Sequence, residues 1–162
     1  AHPTVCRIFP QTARGRDGPC SPASLVANLA RMRPATPTRC LRILAVDDSP
    51  LAQMLVAAAL EERGFSVQSV ESGLAALEAS RHEEFDAVIL DVDMPGLDGL
   101  AVGRALRSDP KTRGWPIAMH TSRSEHDVRS GFRDYDVFLP KPCEHRALGD
   151  AIERLVQGKR FA

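Results

Sequence analysis

The sequence predicts a three-layer α/β fold, with a five-stranded parallel sheet covered by helices on both faces. Three observations predict it. Runs such as Arg42-Ile-Leu-Ala-Val46 and Ala87-Val-Ile-Leu90 are short and almost wholly apolar, without the polar alternation of a strand that faces water on one side. Five strand segments alternate with five segments of helical spacing. The connections between them are short, which is the pattern of repeated strand–helix units in a parallel sheet.

Each element has its own signals. The first strand, Arg42 to Val46, closes on Asp47 and Asp48. Ser49-Pro50 then opens a helix: Asp48 or Ser49 can cap it, Pro50 suits its first turn, and Leu51, Met54, Leu55 and Ala58 recur at helical spacing. Gly64 is placed to end that helix in the left-handed conformation. Phe65 to Val70 forms the second strand. Ser72 caps a second helix through Leu74, Leu77 and Glu78. Ala87 to Leu90 is the third strand, ending on Asp91 ahead of the turn residues Pro95, Gly96 and Gly99. A third helix from Gly99 to Arg107 stops before Pro110. Pro116 to Thr121 is the fourth strand, Glu125 to Arg133 the fourth helix and Asp136 to Leu139 the fifth strand. The last helix, Glu144 to Gln157, carries Leu148, Ile152, Leu155 and Val156 on one side. Gly158-Lys159-Arg160 is expected to end it with a breaker and dipole-matching cations.

Composition limits the functional classes. A hydrophobic fraction of 43% and a charged fraction of 26% are those of an ordinary globular chain. No apolar run is long enough to span a bilayer, and the amino-terminal stretch lacks a signal-peptide core, so a cytoplasmic location is expected. Ahead of Leu41 stand six arginines and one aspartate, and the remainder carries the opposite excess of acid. That arm also holds six of the twelve prolines and few aromatics, which suits a solvated tail better than a nucleic-acid reader. Residues 1–40 are expected to be disordered or poorly structured, with a short helix at Ser24–Met32. A natural start at Met32 is expected, and recovery of a peptide from residues 1–31 of the native protein would exclude it. Cys6, Cys20, Cys40 and Cys143 show no zinc-like spacing and are expected to be unpaired thiols.

The chemistry collects at the strand tips. In a parallel sheet these point one way, so Asp47, Asp48, Asp91, Thr121 and Lys141 share one edge. Three clustered carboxylates repel one another, and a hard divalent cation removes that cost. Mg²⁺ suits the case because it takes one or two carboxylates, keeps waters and leaves room for phosphate oxygens. With Lys141 as a point charge and Thr121 as a donor, the inferred reaction is phosphoryl transfer onto the carboxylate of Asp91.

From about Arg42 to Gly158 the chain resembles the receiver domain of bacterial two-component response regulators, the CheY-like family. The residues that carry the match are Val46-Asp-Asp-Ser-Pro50, Leu90-Asp-Val-Asp-Met-Pro-Gly-Leu-Asp-Gly99, His120-Thr-Ser122 and Leu139-Pro-Lys-Pro142. The resemblance implies a flavodoxin-like (βα)5 fold of strand order 2-1-3-4-5. It implies that Asp91 is the phosphoacceptor and that Mg²⁺ is held by Asp48, Asp91, the backbone carbonyl of Asp93 and, through water, Asp47. Thr121 becomes the switch hydroxyl, Lys141 the phosphate-pairing lysine and Phe138 the aromatic that moves inward on activation. The Lys141–Pro142 peptide is expected to be cis.

The implied phosphodonor is a sensor histidine kinase or a histidine phosphotransfer protein. The implied output is a downstream protein partner bound through the fourth helix, fifth strand and fifth helix, with no organic cofactor, nucleic acid or membrane insertion. The domain would phosphorylate and dephosphorylate itself as a signalling device, not turn over as an enzyme. The expected boundaries are an extension over 1–40, the receiver over 41–158 and a tail over 159–162. Because the sequence stops at Ala162, a stand-alone receiver is expected, with a phosphorelay shuttle or a receiver fragment of a larger protein as alternatives. A haloacid-dehalogenase-like phosphatase is an alternative of another class, since its nucleophile motif is also a strand ending in Asp-x-Asp. There a later acidic pair should follow, whereas Asp47-Asp48 lies upstream.

Several residues depart from the family pattern. His120 stands at an ordinarily apolar strand position and is expected to be a hydrogen-bonded core residue. His82, His126 and His145 are expected at the surface without convergent partners. Thr121 to Lys141 is a short segment, and Asp134 is expected in the left-handed region where a glycine often ends the fourth helix. Asp93 and Arg123 are expected to pair across the mouth of the site.

Overall fold

The computed structural model describes residues 39–160. The expected disordered extension up to Thr38, its short helix at Ser24–Met32, and Cys6 and Cys20 lie outside the described residues. Strands β1 (Arg42–Val46), β2 (Ser66–Val70), β3 (Ala87–Leu90), β4 (Ile117–Thr121) and β5 (Val137–Pro140) alternate with helices α1 (Pro50–Glu61), α2 (Gly73–His82), α3 (Gly99–Ser108), α4 (Glu125–Gly131) and α5 (His145–Arg160). All pairings are parallel, in the order β2-β1-β3-β4-β5. This is the order the family resemblance implies.

Side-chain alternation along the strands divides the core in two. Leu44, Val46, Val88, Leu90, Ile117 and Met119 point to the face covered by α2, α3 and α4. Ile43, Ala45, Ala87, Ile89 and Ala118 point to the face covered by α1 and α5. Each fully buried aliphatic side chain contributes about 1.5–3 kcal/mol, so both faces must be covered for the sheet to persist. The strands need no polar alternation because neither face of β1, β3 or β4 meets water. The register sets Val46 beside Leu90 and Thr121 beside Pro140, which aligns the strand tips.

Several helices differ from expectation. In α1, Leu51, Met54 and Leu55 are 60%, 61% and 55% exposed, while Val56, Ala59 and Leu60 are buried. Helical spacing was the right signal, but this helix carries two apolar stripes, and packing on the sheet takes the other one. Ser49 caps α1 through Ala52 N, so Asp48 is not its cap. Gly64 is left-handed at φ 80°, as expected. Helix α4 ends at Gly131 instead of running to Arg133, because Phe132 leaves the helix and packs over Gly103. Asp134 is not left-handed, since no described non-glycine residue has positive φ. Helix α5 continues through Gly158 to Arg160, so that glycine does not break it. No helix among the described residues is long and apolar enough to cross a membrane.

Candidate functional site

The site begins with β1 and β3, whose buried apolar runs place Asp47 and Asp91 side by side. Asp91 N donates to Val46 O at 2.9 Å, which continues the β1–β3 ladder into the site. The Asp91 carboxylate is buried. Its Oδ1 accepts from Val92 N at 2.7 Å, and its Oδ2 accepts from Lys141 Nζ at 2.8 Å. Asp47 is also buried: Oδ1 accepts from Ser49 N at 2.9 Å and Oδ2 from Lys141 Nζ at 2.6 Å. One ammonium therefore bridges two buried carboxylates. Burial works against the charged form of Lys141, but its hydrogen bonds to Asp47 and Asp91 outweigh that and hold its pKa above the usual lysine value.

At the end of β5 the Lys141 N–H donates to Thr121 O at 2.8 Å, and the following Lys141–Pro142 peptide is cis, as the resemblance implies. Thr121, at the tip of β4, is fully buried, and its hydroxyl accepts from Arg123 N at 3.3 Å. Asp48 is exposed at the mouth. Asp47, Asp48 and Asp91 each offer an oxygen within 4.8 Å of the others. Three carboxylates face one ammonium, leaving excess negative charge in an oxygen-only donor set. Those residues fit a hard divalent cation such as Mg²⁺. The Asp93 carbonyl accepts no hydrogen bond from the described residues, while its carboxylate takes Arg123 Nε at 2.7 Å. The expected pair across the mouth is present.

Phe138 on β5 is half-buried against the α2–α4 side of the core and lies 6.4 Å from the Tyr135 ring. Tyr135 in turn shares its hydroxyl with Glu125 and Arg129 of α4. His120 is buried as expected, but it has no hydrogen bond to any described residue, which corrects that part of the expectation. Burial first, and the Lys141 charge second, push its pKa below the usual histidine value, although Asp47 and Asp91 pull it the other way. His82 and His145 are exposed but each meets a glutamate, Glu78 and Glu62 respectively. Cys40 and Cys143 are free thiols.

Three contributors escaped the sequence reading. Gln53 Nε2 donates to Asp47 O at 2.6 Å and ties α1 to the site. Asp47 shares Lys141 with Asp91, a pairing that spans 94 positions of sequence. Gly99, read as a turn residue and as the start of the third helix but not for its packing, lies directly against the Asp91 backbone. For Gln53 the legible signal was its place one turn after the acidic pair; for Gly99 it was glycine where a capped helix starts.

A family model described as the response regulator receiver domain matches residues 43–153. Protein PilH of Pseudomonas aeruginosa is 34% identical over 122 residues, covering 72% of this chain and 98% of PilH. Sensor protein GacS of Pseudomonas syringae is 36% identical over 131 residues, covering 76% of this chain but only 14% of GacS. The chain thus spans a small part of the longer relatives and nearly all of PilH. Among solved structures, the receiver domain of sensor histidine kinase PA1611 from Pseudomonas aeruginosa is similar with a TM-score of 0.68 and 27% identity. That likeness covers 73% of this chain and 98% of the other, which holds a magnesium ion in its active-site cleft.

Proposed function

This chain belongs to the response regulator receiver domain family, whose function is to accept a phosphoryl group on an aspartate, and on that premise we propose that Asp91 is the phosphoacceptor here. The observation that carries the assignment is the Lys141 ammonium, bonded at once to Asp91 and Asp47 beside the third carboxylate, Asp48. A carboxylate oxygen of Asp91 attacks the phosphorus of a phosphohistidine. The P–O bond forms as the P–N bond breaks, and the imidazole leaves. Asp48, Asp91, the Asp93 carbonyl and, through water, Asp47 would hold Mg²⁺, which supplies positive charge to the phosphoryl oxygens. Lys141 turns from the Asp91 oxygen to a phosphoryl oxygen, and the Thr121 hydroxyl donates to another. Movement of Thr121 opens space for Phe138, and the surface of α4, β5 and α5 repacks for a downstream protein partner.

The proposed phosphodonor is a sensor histidine kinase or a histidine phosphotransfer protein. Leu51, Met54 and Leu55 stand exposed on the first turns of α1, directly after the acidic pair, where an apolar face of such a donor would meet them. The domain proper is read as 41–158, acting in the cytoplasm as a signalling element and not as a turnover enzyme. Incubation with acetyl phosphate and Mg²⁺ tests the reading: one labile phosphoryl group per chain is expected. Sustained hydrolysis of p-nitrophenyl phosphate without that labelled form would instead support the phosphatase reading.

The Asp93–Arg123 pair bears on how long the phosphoryl group lasts. It lies over the mouth through which water must reach the phosphorus, and we expect it to slow hydrolysis. The pair is exposed, so Asp93→Ala and Arg123→Ala should each speed dephosphorylation by about two- to fivefold. The double variant should go no faster than either single one. Independent, additive effects in single-turnover decay would count against a pair acting as a unit.

A further inference from the structure

We propose that Tyr135 is a positioning residue that holds α4 in place in the unphosphorylated chain and releases it when Phe138 turns inward. The inference rests on the reading of Phe138 as the moving aromatic, and extends it to a residue outside the motifs that carry the family resemblance. Helix α4 has seven residues, and Val128 is its only buried side chain. A helix that short does not persist on its own, so tertiary contacts decide where it lies. Its C-terminal end is held by α3, because Arg104 Nη1 donates to Gly131 O at 2.7 Å. Its N-terminal end, just past Thr121, has a different anchor.

That anchor is the tyrosine. The Tyr135 hydroxyl donates to Glu125 Oε1 at 3.0 Å and accepts from Arg129 Nε at 3.0 Å. Arg129 Nε also donates to Glu125 Oε1 at 3.1 Å, which closes a triangle of polar groups between α4 and the segment leading into β5. The Arg129 guanidinium lies 5.9 Å from the centre of the Tyr135 ring, within cation–π range. A Glu–Arg pair at this spacing forms on many exposed helices and contributes little. Tyr135 differs because it reaches α4 from outside the helix and ties its first residue to the body of the domain.

The ring end of the same side chain meets the proposed switch. The rings of Phe132 and Phe138 each lie 6.4 Å from that of Tyr135, tilted by 46° and 52°. Phe132 is buried and packs over Gly103 of α3, so it is fixed. Phe138 is half-buried and is the residue read as moving. When Phe138 turns inward, Tyr135 loses its contact on that side. Its ring follows, and the hydroxyl is drawn away from Glu125 and Arg129. Helix α4 then keeps its hold at Gly131 and loses the one at Glu125. Bonds made in only one of two arrangements bias the equilibrium toward that arrangement, so these oppose activation.

The chain has one tyrosine, so a ¹³C-labelled tyrosine ring reports on Tyr135 alone. Mg²⁺ with beryllofluoride, as a stand-in for the phosphoryl group, should shift that ring signal together with the amide signals of Asp91 and Val92 in the full chain. Tyr135→Phe keeps the ring and removes the hydroxyl. It should bind beryllofluoride about two- to tenfold more tightly, because hydrogen bonding is lost from the competing state only. Glu125→Ala, an exposed change on α4, should act in the same direction, and the double variant should bind no more tightly than Tyr135→Phe. A tyrosine that merely supported the fold would leave this affinity unchanged or lower it, and either result would overturn the proposal. Shifts at Asp91 and Val92 with an unmoved tyrosine signal would overturn it alone. No response at Asp91 and Val92 would overturn the reading of the phosphorylation site and this inference with it.

Discussion

Asp91→Asn is expected to lower Mg²⁺-dependent labelling by acetyl phosphate to background, a loss of roughly 10³-fold or more, because the group proposed to form the bond to phosphorus is gone. The substitution is nearly isosteric. The amide oxygen can still accept from Val92 N, which now bonds Asp91 Oδ1 at 2.7 Å, so the local backbone should hold. The charge changes more than the shape. The site has three carboxylates against one ammonium, and removing one carboxylate relieves repulsion while leaving Lys141 paired with Asp47 at 2.6 Å. Without added metal the variant should therefore melt no lower than the parent chain. A ligand that binds only the folded state raises stability by RT ln(1 + [L]/Kd), so Mg²⁺ should raise the melting temperature of the parent much more than that of Asp91→Asn. Two readouts are thus coupled: phosphoryl incorporation and the Mg²⁺-dependent melting shift. Retained labelling in Asp91→Asn would move the nucleophile elsewhere. An unchanged Mg²⁺ shift would remove Asp91 from the metal site.

That site was legible in the sequence to an unusual degree because burial and chemistry change at the same residues. Val46 and Leu90 are the last apolar positions of doubly covered strands, and Asp47 and Asp91 follow immediately. A carboxylate at such a point is costly unless a cation or donors meet it, so each strand tip directs attention to the others. What stayed hidden depends on choices that local pattern leaves open. Helix α1 has apolar residues on two sides, and only contact with the sheet and α5 decides that Val56, Ala59 and Leu60 go inward. The end of α4 depends on Phe132 reaching Gly103, which is nearly thirty positions upstream. The double bridge of Lys141 could be guessed for Asp91 but not for Asp47, because nothing in the local sequence sets how far the lysine leans.

Gly99→Ala should be the most damaging single-methyl change near the site. The first residue of α3 lies so close to β3 that an added Cβ would sit 2.8 Å from the Asp91 carbonyl carbon and 3.1 Å from Val92 Cα, closer still to the Asp91 oxygen. These neighbours are backbone atoms, so no rotamer change can absorb the contact. Either the start of α3 lifts, losing the Gly99 N to Val92 O hydrogen bond at 3.2 Å, or the Asp91–Val92 backbone shifts. The first course uncovers Leu100 and Val102 from the core. The second displaces a carboxylate whose oxygens are fixed by Val92 N and Lys141 Nζ. A cost of about 3 kcal/mol, at the upper end for overpacking, corresponds to a fall of roughly 10 °C in melting temperature. Phosphoryl incorporation should fall with it in the fraction that remains folded. Gly64→Ala is the control: Gly64 has φ 80° but open space around it, so only the left-handed conformation is penalised, by about 1 kcal/mol. A Gly99→Ala chain that melts within a degree or two of the parent and is phosphorylated normally would mean that α3 and β3 do not pack as closely as this geometry requires.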